Sequence, residues 1–276
     1  MRLRFYTLFI NSLRKEYHNK TLIALAVFTL LIILGINGIF NLLDGAGVEL
    51  PLEAIFGQRI TILYKIITLW SGVLGIILGI NAISTDFEYN AAVPILATPL
   101  SKGEYLFARI SASWATATIY YTISILCGVL LFSQDQIAAG GLGSVLLALL
   151  MNTLSILVMI LWGVLFSLFF SRGISLIGVV ILSFLTQLSY SLFHNSATGI
   201  ANTVAIDYGH PYVLVAAVLN YLTPQRAFVH QISDTILLGS EISPLPAEMM
   251  FNSFHFIVTT ALLYAAIYWY LHRKSL

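Results

Sequence analysis

The chain has 276 residues, 59% of them hydrophobic and 9% charged. Soluble domains carry about 25% charged residues, so this chain cannot cover itself with polar surface and reads as an integral membrane protein. The net charge of +1 identifies no partner and gives no reason to expect nucleic acid; the single cysteine, Cys127, excludes a disulfide framework and a Cys-based metal centre.

Residues 2–19 are amphipathic. Tyr6, Phe9, Ile10, Leu13 and Tyr17 fall on one helical face, with Arg4, Thr7, Asn11, Arg14, Lys15 and His18 on the other. This is the pattern of a basic helix lying among lipid headgroups. Charged residues persist to Lys20, and the apolar run that follows exceeds the roughly 7–15 residues of a signal-peptide core, so it reads as an uncleaved first span.

Six apolar runs are long enough to cross a bilayer, at about 21–43, 66–83, 110–132, 144–170, 174–193 and 254–271. The apolar stretch 212–222 is shorter and suits a re-entrant or interfacial segment. The distribution of basic residues supports leaving it out. With six spans and both termini cytoplasmic, Arg2, Arg4, Arg14, Lys15, Lys20, Lys102, Arg109, Arg172, Arg273 and Lys274 lie inside, ten of the 13 Lys and Arg. Arg59, Lys65 and Arg226 then lie outside. The outer segments are 44–59, 133–140 and 194–253; the last carries a helix start at Thr223-Pro224, followed by Phe228, Ile232 and Ile236 at helical spacing. The expected fold is therefore an all-α, six-span membrane domain with an N-terminal interfacial helix.

The longest polar interruption on the inner side is TDFEYNAAVPILATPLSKGEYLFAR, residues 85–109. Thr85 with Glu88, and Ser101 with Glu104, both have capping-box spacing. The pattern predicts a span that exits, a short surface helix over 86–96, a turn at Thr98-Pro99 and a second span that re-enters.

No G-x-x-x-x-G-K-[ST], G-x-S-x-G or H-E-x-x-H occurs in the sequence, so ATP hydrolysis and the common hydrolase chemistries are not expected on this chain. The spans carry no acidic residue of the kind that marks a proton relay, although Asn81, Asn152 and Gln187 are polar. His194, His210, His230 and His255 match no metal-ligand spacing, and no metal site is expected. Gly72, Gly75 and Gly79 form a small-residue stripe suited to close helix packing, within the subunit or across a dimer. Tyr268, Trp269 and Tyr270, followed by His272, Arg273 and Lys274, read as an interfacial belt with a basic anchor.

These features together resemble an ABC-2 type permease, the six-span membrane subunit of one class of ABC exporters. That family carries an acidic segment after its second span, then apolar residues, a Pro-centred turn with Ser and a basic residue, and later a Lys opening the third span. Here the acids fall on Asp86 and Glu88, the apolar residues on Ile95 and Leu96, and the turn on Thr98-Pro99-Leu100-Ser101-Lys102, with Arg109 in place of the Lys. Asn90-Ala91 replace the family's Gly-Thr, and Pro94 is additional. The resemblance implies a coupling segment within 84–105 that docks on a separate ATPase. Phe87 and Tyr89 would be its anchors, Asp86 and Glu88 its polar rim, and Asn90 would lie beside them. It further implies ATP and Mg bound by that partner rather than by this chain, a second permease subunit, and a bacterial or archaeal cytoplasmic membrane. The outer segment 194–253 would close the outer end or meet an extracytoplasmic partner. The alternatives from other classes are an ion-coupled secondary transporter and a membrane scaffold or immunity protein that transports nothing.

Overall fold

A computed structural model describes residues 2–17, 20–45, 52–88, 101–132, 134–194, 211–238 and 246–273. Among the described residues the elements are all helices: α1 (Arg2–Tyr17), α2 (Lys20–Gly45), α3 (Leu52–Glu88), α4 (Lys102–Phe132), α5 (Gln134–Ser167), α6 (Arg172–His194), α7 (Pro211–Leu222), α8 (Arg226–Leu238) and α9 (Pro246–Arg273). An all-helical answer follows from the solvent. In hydrocarbon every backbone amide and carbonyl must be satisfied within its own segment. Six of the helices are long and apolar enough to cross a membrane, namely Leu22–Ile39 in α2, Leu63–Glu88 in α3, Lys102–Gly128 in α4, Leu146–Ser167 in α5, Arg172–Leu192 in α6 and Met250–Arg273 in α9.

The spans divide into an inner trio and an outer trio. The segments of α3, α4 and α5 are 61%, 50% and 67% buried, against 11%, 22% and 22% for α2, α6 and α9. Leu74, Leu78 and Ile83 of α3 pack with Leu106, Ile110 and Tyr121 of α4 and with Ile156, Ile160 and Val164 of α5. Leu31, Leu34, Ile177, Phe184, Ile257 and Leu262 of the outer trio are largely exposed, as lipid-facing side chains are.

The closest approach in the bundle lies between α3 and α5. Gly72, Gly75 and Gly79 face Met159, Ile156 and Ile160, and Gly163 answers from α5 opposite Ile76. The small-residue stripe thus serves packing within the chain.

Polar side chains of the trio pair with one another and with α8. Asn152 Nδ2 donates to Tyr121 Oη at 2.7 Å and to Thr68 Oγ1 at 3.2 Å. Tyr64 Oη lies 2.6 Å from Ser233 Oγ, which donates to the Ala148 carbonyl at 2.9 Å. Such bonds fix the rotation of each helix about its axis, which apolar contact alone leaves loose.

The 12-residue α7 does not cross. It runs back along α6, where Ser189 Oγ donates to the Ala216 carbonyl. The chain then turns through Thr223, Pro224 and Gln225, and Gln225 Nε2 donates to Asn220 Oδ1 at 3.1 Å. α8 returns antiparallel to α5, with Arg226 beside Ser155 and Ser233 beside Ala148. The pair α7–α8 is a re-entrant hairpin whose tip reaches the midpoints of the α5 and α6 spans. Two expectations are corrected. The returning helix starts at Arg226 rather than at Pro224, which is buried in the turn. Arg226 is not an outer-loop charge; it is drawn between α5 and α6 because the hairpin folds inward. The Phe228 and Ile232 face of α8 packs on the spans, with Phe228 fully buried.

Candidate functional site

One end of the bundle gathers the last turn of α3, the first turns of α4 and α6, the C-terminal end of α9, and all of α1. Asp86 is at its centre. Its side chain is 3% exposed and pairs with Arg109 of α4 and, at 3.1 Å, with Lys15 of α1. Tyr105 Oη donates to its second oxygen at 2.8 Å. Arg109 Nη1 donates to Ser12 Oγ of α1 at 2.9 Å, and the guanidinium lies 5.8 Å from the Tyr105 ring centroid. One carboxylate therefore joins three helices.

Glu88 makes a second tie. It accepts two bonds from Arg172 at the start of α6, one of 2.9 Å from Nε and a closer one from Nη2. Both side chains are about half exposed, so this bidentate pair contributes mainly geometry. Lys102 supplies a third, with Nζ 3.3 Å from the His272 carbonyl at the end of α9, where a cation meets the negative end of a helix dipole.

The capping box at Ser101 forms as its spacing predicts. Glu104 N donates to Ser101 Oγ at 3.1 Å and Ser101 N donates to Glu104 Oε2 at 2.9 Å. Thr85, by contrast, opens no helix. α3 runs unbroken through it to Glu88, and Thr85 Oγ1 donates back to the Asn81 carbonyl at 2.6 Å. Asp86, Phe87 and Glu88 thus form the end of the second span rather than the start of a surface helix. The solvated rim role for Asp86 is corrected: it is buried because three cationic or hydroxyl groups from α1 and α4 converge on it. Phe87 is half buried against the main apolar cluster. Tyr89, Asn90, Thr98 and Pro99 lie outside the described residues.

Sequence reasoning missed Ser12, Lys15, Glu16 and Tyr105 as members of this cluster. α1 presents Leu8, Ser12 and Glu16 to α4, while Tyr6 and Tyr17 of its apolar face point outward. A signal was available for Asp86. Gly72, Gly75, Gly79, Ile83 and Asp86 continue one buried helical stripe at spacings of three and four.

Glu16 is the titratable member. Burial pushes its carboxyl up from 4.5 to about 7, opposed by Lys15 and Arg109 and reinforced by Asp86. Because its folded-state pKa is raised, the stability it contributes is complete below about 4.5 and lost as pH rises through about 7, an effect of roughly 3 kcal/mol at 1.36 kcal/mol per unit. Glu16→Gln should match wild type in thermal stability near pH 5 and exceed it near pH 8.5. Parallel melting curves across that range would remove Glu16 as the titrating group.

Among the described residues no group of three or more His, Cys, Asp or Glu could hold a metal ion. The geometry is that of a polytopic helical membrane protein whose charged side chains tie its helix ends together at one pole. The sequence matches the family model described as ABC-2 family transporter protein over residues 7–276, so the chain belongs to that family of membrane-embedded ABC transporter components. A comparison with curated proteins finds no match.

Proposed function

We propose that this chain is the permease subunit of an ATP-driven exporter and works with a separate ATPase. Its Asp86-centred pole faces the cytoplasm, and two permease subunits frame the pathway in a bacterial or archaeal cytoplasmic membrane. ATP and Mg are bound by the partner, and the segment after Glu88 is the docking element. The observation that carries the reading is mechanical. Asp86, Glu88 and Lys102 flank that segment and tie α3 and α4 to α1, α6 and α9. A push delivered between Glu88 and Ser101 is therefore passed to five helices at once.

The test is affinity purification from native membranes, with identification of the bound chains. Recovery of a P-loop ATPase is expected. Tyr89→Ala should lower that recovery about 30-fold, since an aromatic anchor contributes about 2 kcal/mol and each 1.4 kcal/mol is tenfold. Phe87 is unsuitable for this purpose, because its ring also packs on the core. Absence of any ATPase, together with flux that follows an ion gradient and survives ATP depletion, would replace the exporter by a secondary transporter.

A further inference from the structure

A cavity of about 440 Å³ lies between α3, α6 and α8, far from the Asp86 pole. Arg226 lines it at the tip of the re-entrant hairpin. Its Nε donates to Ser155 Oγ at 3.0 Å, its Nη1 donates to Ser183 Oγ, and its Nη2 lies 3.5 Å from His230 Nε2. The Trp162 ring centroid is 5.9 Å away. Every one of these partners is neutral. Among the described residues Arg226 makes no ion pair. Asp234, in the same cavity, is two turns along α8, about 12 Å in axial rise, and its charge neighbours Lys65.

Ser155 and Ser183 stand near the midpoints of their spans, so the guanidinium sits at mid-bilayer depth. A cation there is costly, and functional ones are paired or face a cavity. Leu69, Val73, Ile76 and Phe184 form an apolar wall beside the guanidinium, while Lys65, Thr68, Gln187 and Asp234 add polar groups elsewhere in the lining. Leu69 and Phe184 are 65% and 63% exposed, so beside the guanidinium the cavity opens sideways onto the apolar surface of the chain. Its volume falls within the about 300–1,000 Å³ of small-molecule sites. A positive charge short of a counter-ion, hydroxyl and imidazole groups around it, and an apolar side opening together call for one ligand chemistry.

We infer that this cavity binds the anionic end of an amphiphile, a carboxylate or phosphate seated on Arg226 with its apolar body between α3 and α6. The site is independent of the ATPase reading above.

The test uses the full chain in phosphatidylcholine nanodiscs and a fluorescent acid, dansyl-undecanoate, with its methyl ester as the uncharged control. The acid should bind saturably and at least about tenfold more tightly than the ester, as befits a charge-assisted hydrogen bond. Arg226→Gln should reduce acid binding to the level of the ester and leave the ester unchanged. Val73→Trp, which fills the mouth without touching the guanidinium, should block both. Displacement of the probe by phosphatidylglycerol would identify a bilayer lipid as the source, and displacement by decanoate alone a soluble amphiphile; either supports the site. Equal binding of acid and ester by wild type would overturn it, whether or not the Arg226 variant folds. So would full acid binding by Arg226→Gln, or displacement by inorganic phosphate as effective as by decanoate.

Discussion

Asp86→Ala should cost the chain about 3–5 kcal/mol, the penalty for breaking a buried ion pair and stranding its partner. The Arg109 side chain is 9% exposed and would be left with Ser12 and the Tyr105 ring. Against a total stability of about 5–15 kcal/mol, that loss is enough to deplete folded protein at growth temperature. Arg109→Leu alone should be comparably damaging, because it strands Asp86 with Lys15 and Tyr105. The double variant Asp86→Ala/Arg109→Leu should recover much of the loss, since removing both members of a buried pair is often close to neutral. Thermal unfolding in detergent, read by size-exclusion profile, distinguishes the possibilities. A solvated rim carboxylate would change stability by less than about 0.5 kcal/mol, so an Asp86→Ala protein that melts like wild type would refute the buried cluster.

Gly79→Ala should be the most damaging substitution in the glycine stripe. A Cβ there would lie 2.8 Å from Ile160 Cα and 2.9 Å from its carbonyl carbon, atoms of backbone that cannot step aside. Forcing α3 and α5 apart costs about 1–3 kcal/mol or more. At Gly75 the nearest atoms are Ile156 Cγ2 at 3.2 Å and its carbonyl oxygen at 3.4 Å, a tight contact that a shift of a few tenths of an ångström relieves. At Gly72 the nearest is Met159 Cε at 3.6 Å, which is ordinary contact. The expected order of damage is therefore Gly79, then Gly75, then Gly72, measured as loss of monodisperse protein after heating. Equal effects at all three positions would mean that the stripe does not make this graded contact with α5.

The spans were readable because a bilayer imposes a length and a composition on anything that crosses it. The 11 apolar residues from Tyr212 fell short of that length, which excluded a span but left a re-entrant and an interfacial segment equally open. The two capping-box spacings show where local reading stops. Ser101 and Glu104 satisfy each other, and no distant residue competes. Thr85 and Glu88 have identical spacing, yet cations from α1, α4 and α6 claim the neighbouring acids and keep the helix going. Nothing within four residues of Thr85 encodes that outcome. Arg226 was misplaced for a related reason. Counting basic residues by loop assigns a side of the membrane, but it cannot register a loop that folds back between spans. α1 was legible as a helix, while its inward face was not, because a buried serine and glutamate are unremarkable until Arg109 is placed beside them.

The cluster around Asp86 also bears on the order in which the chain is made. Asp86 closes the second span, and when it leaves the ribosome only Lys15 has been synthesised among the cations that will hold it. Its principal counter-charge, Arg109, and its hydrogen-bond donor Tyr105 belong to the first two turns of the third span. The second span thus completes its set of partners only once the third has begun to emerge. Insertion of these two helices as a joined pair, rather than one after the other, is the route that brings Asp86 its full set of partners at once.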